Sequence, residues 1–493
     1  MDTSPKHDFI FRENVGPQRT PAEKSNYLAY ANLFFTDTFI DILVVETNPY
    51  ANQYLEDHPD LAEQSRANDW NDTDRIEIRA FLALVINMGL DKRPQISDYW
   101  QTKYRCITSS FYKDVMSRNR FQLLLRFLHT VDNATIPAHG APGYDPIAKV
   151  NPVIVHANRV FKRHYVMHRE VSIDESLVGC QHRTESLQYL PNKHHHRFGI
   201  KLWMLCSSSS EYTMSFTVYR GKERDNYPNG VGYDVCMNLM RDSRLLNKGH
   251  SLIVDNLFTN HRLGMDLLAE QTYLTGTLRR HRKGIPKKLY TVKPGVKQQY
   301  CMESADEMAL AWREKKSHRK PVLLYTTKEH NDMIPVVSAR GRPTEKPKVV
   351  DYYNKYMGGV DMSDMMLYTY VDERKSLKMW KKVFINITGR MLLNAYIVYK
   401  EDQLEDSKVL SRLEFMREVV QELCEPQEQR LAAIRKGRRH HVDDGGVRKL
   451  PEKRERNCVV CSTAGYRRRS RTVCSKCGKG LHKDCVRNHD QCM

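Results

Sequence analysis

Between about residues 25 and 165, apolar side chains recur every three or four positions, the spacing of one helix face. In residues 75–88, Ile76, Phe81, Leu84, Val85 and Met88 fall on broadly one side, with Asp72 or Thr73 as candidate caps and Gly89 as the stop. Residues 116–129 repeat the pattern through Phe121, Leu124, Leu125 and Leu128 behind Ser117. Near residue 170 the period changes to short β-branched and aromatic runs at 171–173, 200–206, 212–219, 252–254 and 273–277, which predict strands. Helical spacing returns near 232–241 and 260–270. Three strands, a helix, a strand, a helix and a strand predict a mixed α/β sheet. The basic, less regular stretch 279–320 reads as an insertion, and helix is expected again from about 348 to 399 and from 410 to 435. Residues 1 to about 20 lack any period and are expected to be disordered.

A chain of 493 residues with 40% hydrophobic side chains divides into several folding units and can fill a core in each, which excludes wholesale disorder. The best apolar run, 81–90, is interrupted by Asn87 and falls short of the roughly eighteen residues a membrane span needs. The first residues, MDTSPKHDF, lack the apolar core of a signal peptide, so cytosol or nucleus is expected, with no membrane partner. The net charge is +19, and residues 435–493 carry 17 Lys or Arg against 6 Asp or Glu. Such a surplus suits a nucleic-acid partner through counterion release, or a solubilising tail with a nuclear-import signal.

Six of the twelve cysteines lie between Cys458 and Cys492. With His482 and His489 they form the series Cys458, Cys461, Cys474, Cys477, His482, Cys485, His489 and Cys492, eight ligands for two tetrahedral zinc ions. A cross-brace would pair Cys458, Cys461, His482 and Cys485 at one ion and Cys474, Cys477, His489 and Cys492 at the other; sequential pairing is the alternative. So short a segment has too few large apolar residues for a core, so metal would supply its folding energy. Between the ligand pairs, Arg467, Arg468, Arg469 and Arg471 form a basic loop suited to phosphates.

Asp174 follows the apolar run 171–173 and Asp255 follows 252–254, so neighbouring strands would present both carboxylates at one sheet edge. In the run 358–364, two glycines lead Asp361 and Asp364, three apart and on one face of a helix. Converging carboxylates repel one another unless they are protonated or bind cations, and hard oxygen donors select magnesium or manganese. Two such ions can drive in-line phosphoryl transfer. Each acid taken alone also suits a cap or a salt bridge.

Together, Ile173-Asp174-Glu175, Tyr189-Leu190-Pro191-Asn192-Lys193, Gly199, Lys201, Asp255-Asn256-Leu257-Phe258-Thr259, Gly276-Thr277 and Gly358-Gly359-Val360-Asp361 with Asp364 resemble the piggyBac family of DNA transposases. Tyr99-Trp100, Arg120-Phe121, Asp132-Asn133, Trp380 and Asn394-Ala395-Tyr396 extend the likeness. The resemblance implies an RNase H-like catalytic domain (169–280 and 341–370) interrupted by an insertion (281–340). It implies a split all-α dimerisation and DNA-binding domain (25–168 and 371–435), after a disordered start (1–24). A basic linker (436–456) and a cysteine-rich zinc-binding domain (457–493) would follow.

The implied catalytic acids are Asp174, Asp255 and Asp361, holding two magnesium or manganese ions with Asp364 as a further metal acid. The implied reaction is cut-and-paste transposition by a nuclear homodimer on double-stranded DNA, through hairpinned element ends and joining at TTAA. Lys193, Lys201, Arg279, Arg280 and the four tail arginines would meet DNA. Trp380 would stack near the hairpin, or else sit in a helix core. His194-His195-His196 departs from the family pattern and reads as a DNA-facing loop or plain surface. Two rivals remain: a domesticated, non-catalytic DNA-binding protein of the same fold, and a chromatin or ubiquitin adaptor working through the zinc module.

Overall fold

The computed structural model describes residues 5–493 apart from 183, 192–195, 222–225, 338–340, 342, 377, 405–406, 441–446, 451–453, 464, 467, 476 and 490–493. Its contacts divide into two units: Met1–Pro94 with Leu123–Gln421, and Gln95–Gln122 with Glu422–Met493.

The first unit is built on a nine-stranded mixed sheet. Its strands are β1 (Glu170–Gly179), β2 (Leu187–Tyr189), β3 (Phe198–Ser207), β4 (Thr213–Val218), β5 (Ser251–Val254), β6 (Tyr273–Thr277), β7 (Gln298–Glu303), β8 (Met308–Arg313) and β9 (Val322–Thr326). They lie in the order β2-β3-β1-β5-β6-β9-β8-β7, with β4 on β3. The junctions of β1 with β5 and of β5 with β6 are parallel. All four residues of β5 are buried, as expected of a strand covered on both faces, where an unbroken apolar run replaces alternation.

The helices include α1 (Asp37–Glu56), α2 (Arg75–Leu90), α3 (Asn151–His164), α4 (Val231–Asp242), α5 (His261–Ala269), α6 (Lys348–Tyr356), α7 (Gly359–Tyr370), α8 (Met379–Glu401) and α9 (Arg412–His440). Helix α7 packs on β1 and β3, and α8 packs on α3 and α7. Helix α2 begins at the Asp74 cap, whose side chain accepts from the Glu77 amide, one residue beyond the expected candidates. It also runs through Gly89. The missing Cβ there lets the helix approach the Tyr370 carbonyl at the end of α7, so this glycine serves a close contact and not a stop.

Two expectations are corrected in this unit. The stretch read as an irregular insertion contributes β7, β8 and β9 to the main sheet, and Met308, Leu310, Trp312 and Leu324 form a core cluster with Val349 and Val350 of α6. Basic loops around these short strands obscure their pattern. The chain start, expected to be disordered, is ordered from residue 5 by tertiary partners. Phe9 lies 4.8 Å from Tyr273, Phe11 lies 5.0 Å from His250, and Gly16–Pro17 pairs with Tyr165–Val166.

In the second unit, Trp100 donates through Nε1 to the Met116 carbonyl at 2.7 Å and packs against Tyr112 and Phe121. The cysteine-rich end contains two short ladders, Val447–Lys449 with Thr472–Cys474 and Arg456–Asn457 with Arg469–Ser470. Part of the expected linker 436–456 is therefore regular: α9 continues to His440, and 447–449 is a strand of the cysteine-rich fold. Among the described residues, no helix is long and apolar enough to cross a membrane.

Candidate active site and metal centres

The acidic site follows from strand register. Ile173 of β1 stands opposite Val254 of β5 in a parallel pair, so the next residues, Asp174 and Asp255, emerge side by side. Carboxylate oxygens of Asp174, Glu175 and Asp255 all lie within 4.8 Å of one another. Asp174 is only 8% exposed. Asp255 caps its own turn: Oδ1 accepts from the Leu257 amide at 2.8 Å, and its carbonyl accepts from Thr259 Oγ1 at 2.8 Å. Arg282 braces that turn by donating to the carbonyls of Asn256 at 2.7 Å and Leu257 at 2.5 Å.

The third acid, Asp361, sits in the first turn of α7 after the Gly358 cap. Helix α7 packs on β1, the strand that carries Asp174. Burial pushes the pKa of the Tyr353 phenol, on α6, up to about 12; a hydrogen bond with Thr277 opposes the rise, and the charges of Asp255, Asp174 and Asp361 add to it. Clustered carboxylate oxygens of this kind suit a hard divalent cation.

In the second unit, one ligand group is Cys458, Cys461, His482 and Cys485, and another contains Cys474, Cys477 and His489, each within 4.8 Å. Cys492 lies outside the described residues. The grouping follows the cross-brace order, pairs one with three and two with four. His482 donates through Nε2 to the Arg469 carbonyl at 3.0 Å, leaving Nδ1 facing Cys461 Sγ at 3.5 Å and Cys485 Sγ at 3.8 Å. A backbone acceptor that fixes the tautomer and aims the free nitrogen at thiolates is the usual outer support of a zinc site. Cys477 Sγ and His489 Nε2 lie 3.3 Å apart in the second group.

The family profile described as Transposase IS4 matches residues 28–396. The chain is 23% identical to the human PiggyBac transposable element-derived protein 3 over 98% of this chain and 77% of that protein. It is also 23% identical to the human PiggyBac transposable element-derived protein 5, over 84% of this chain and 78% of the relative. The chain belongs to the IS4 transposase family as a piggyBac-like member. Its fold is that of piggyBac transposase, solved by cryo-EM as a synaptic complex with hairpin DNA. The TM-score is 0.76 at 22% identity, covering 97% of this chain and 98% of that one.

In this piggyBac-like transposase chain, two expected site residues serve other ends. Asp364 is held by protein partners: its buried Oδ1 accepts from Arg390 Nη2 at 2.6 Å and from Ser176 Oγ at 2.8 Å. Trp380 is 6% exposed and edge-on to His129 at 5.7 Å, so it is a helix-core side chain with no free face for a base. Lys201 is half-buried, its ammonium 4.0 Å from the Trp203 ring centroid and 4.6 Å from that of Tyr219. Arg279 is exposed, while Arg280 donates to the Tyr290 carbonyl at 3.3 Å. Arg468, Arg469 and Arg471 are exposed, and Arg471 pairs with Glu455 at 3.0 Å. Lys193, Arg467, His194 and His195 lie outside the described residues.

Glu175, Arg282, Tyr353 and Arg390 were missed by sequence reasoning. Glu175 stands in the Ile173-Asp174-Glu175 run, and Tyr353 one short helix before the glycine pair, so both were near a visible motif. Arg282 and Arg390 carry no local signal.

Proposed function

We propose that this chain is a divalent-metal-dependent DNA transposase whose catalytic acids are Asp174, Asp255 and Asp361. The observation that carries this reading is the close approach of the Asp174 and Asp255 carboxylates at neighbouring strand ends, with α7, which bears Asp361, packed on β1. The three side chains would hold two magnesium or manganese ions, with Glu175 beside them in place of Asp364. The chemistry supplied when those ions are bound is Lewis acidity at a phosphodiester and a lowered pKa for attacking water or a 3′-hydroxyl. The chain's own residues set the geometry: β1 and β5 fix two acids by register, α7 delivers the third, and Arg282 holds the turn after Asp255.

On this reading the sheet is an RNase H-like core, flanked by helices from both sides that grip DNA as a homodimer in the nucleus. Hairpinned element ends and joining at TTAA are the expected intermediates and target. The Cys/His groups would hold two zinc ions and present Arg468 and Arg469 to phosphates of element DNA. The direct test is incubation of the purified full chain with magnesium or manganese and duplexes carrying the repeats that flank its gene. Nicking, hairpin formation and insertion at TTAA are expected. DNA binding without strand cleavage in either metal would instead establish a binding-only protein of the same fold.

A further inference from the structure

Behind the acidic site lies a buried charge that the proposed reaction does not use. Arg390 is 0% exposed in the middle of α8. A guanidinium so placed must be paired and hydrogen-bonded to persist. Its Nη2 donates to Asp364 Oδ1 at 2.6 Å and to Ser176 Oγ at 2.8 Å, and its Nε donates to Asn386 Oδ1 at 3.0 Å. Ser176 Oγ donates in turn to the same Asp364 oxygen at 2.8 Å.

The partners are the telling feature. Ser176 lies two residues beyond Asp174 on β1, on the same face and about 7 Å along the strand. Asp364 lies three residues beyond Asp361 on α7, about one turn away. We propose that Arg390 and Asp364 form a positioning pair that locks the helix carrying Asp361 in rotation and in register against the strand carrying Asp174. This rests on the metal-site reading above, and it assigns Asp364 a role other than metal ligand.

Two further contacts agree with a clamp between α7 and β1. Near the start of the helix, Gly359 approaches Ser172 Oγ and the Ser207 carbonyl so closely that an added Cβ would collide with both. Near its end, Tyr368 donates to the Leu177 carbonyl at 2.6 Å and accepts from Asn386 Nδ2 at 3.2 Å. Apolar packing alone permits sliding and rolling of a helix on a sheet. A directional network of hydrogen bonds resists both.

The test is calorimetric titration of the full, zinc-loaded chain with Mn2+, with Asp174→Ala identifying the acidic site, together with backbone hydrogen exchange. Asp364→Leu and Arg390→Met should each weaken Mn2+ binding roughly tenfold, and the double variant no more than either, because both remove one interaction. Asp364→Asn, whose amide oxygen can still accept from Arg390 and Ser176 but leaves the guanidinium without its counter-charge, should weaken binding less than Asp364→Leu. In the Leu and Met variants, exchange should rise at residues 359–364 and stay unchanged in β5 and the cysteine-rich module. If Asp364→Asn binds as weakly as Asp364→Leu while Arg390→Met binds normally, Asp364 is a ligand and the proposal is overturned. Unchanged exchange at 359–364 also overturns it. A wild type that binds no Mn2+ would remove the metal-site reading alone, since the exchange measurement still decides whether the pair holds the helix.

Discussion

The acidic site and the cysteine-rich module are assembled in opposite ways. The carboxylates of residues 174, 175 and 255 are brought together by strand register, and Asp361 stands on a helix packed against one of those strands. The described Cys/His ligands fall between 458 and 489, around a small core centred on Cys458, Cys474 and Leu481. In the first region the fold creates the ligand set, so the protein scaffold stands without metal. In the second the candidate ligands make up much of the described core, so on the proposed zinc reading metal and fold would stand or fall together.

The sharpest way to break that contrast is metal removal. A strong chelator should strip two zinc ions per chain and unfold the module, because zinc binding of this type contributes about 10 kcal/mol or more per site. Hydrogen exchange at 447–449 and 472–474 should then become fast, while β1 and β5 keep their protection. Loss of protection in the main sheet as well would show that the two regions are not independent in this sense. Elemental analysis finding fewer than two zinc ions would reject the double-site ligand set.

Substitution of the acids should do the reverse, removing chemistry and sparing the fold. Asp174→Ala, Asp255→Ala and Asp361→Ala should each lower strand cleavage by about a thousandfold or more, corresponding to roughly 4 kcal/mol of transition-state stabilisation. Binding of end DNA and thermal stability should change little, since register on DNA is set by phosphate contacts elsewhere. Nicking that survives all three single changes would remove these residues from the reaction. A smaller effect, on stability, is expected of Gly359→Ala. The new methyl meets Ser172 Oγ and lies 2.8 Å from the Ser207 carbonyl, an overpacking that costs about 2 kcal/mol. Thermal denaturation measures it, and a neutral result would mean that α7 is free to shift on β1.

The same contrast explains what was legible in the sequence. Asp174 and Asp255 stood out because each ends an apolar run, and Asp361 because two glycines precede it; the cysteine spacing was readable without any fold. Arg390 looked like any polar residue in a helix, since nothing local shows that it faces Asp364 and Ser176. Asp364 was grouped with the metal acids on helical spacing, which fixes a face but not the partner it meets. Trp380 followed the core series with residues 384, 387 and 391, and the core side of that ambiguity is what the structure contains. Residues 5–17 and 298–326 were misjudged because their order comes from sheet edges and aromatic partners far away in the chain.

The finest distinction lies within the basic loop of the cysteine-rich module, where the arginines are not equivalent. Arg468 and Arg469 are exposed, whereas Arg471 already has Glu455 at 3.0 Å. Removing one charge that meets a phosphate should flatten the dependence of log affinity on log salt by about 0.9. Arg468→Ala and Arg469→Ala should each show this on mixed-sequence duplex DNA, and Arg471→Ala should show less, because its charge is partly neutralised before DNA arrives. The Arg469 carbonyl that accepts from His482 is backbone, so Arg469→Ala leaves the zinc ligands supported and isolates the charge. Asp174→Ala, in the other region, should leave the slope unchanged. An Arg471→Ala effect equal to the others would mean that the Glu455 pair opens on DNA. No change in slope for any of the three would take the module out of phosphate binding, and its partner would then be sought among histone tails and ubiquitin-conjugating enzymes.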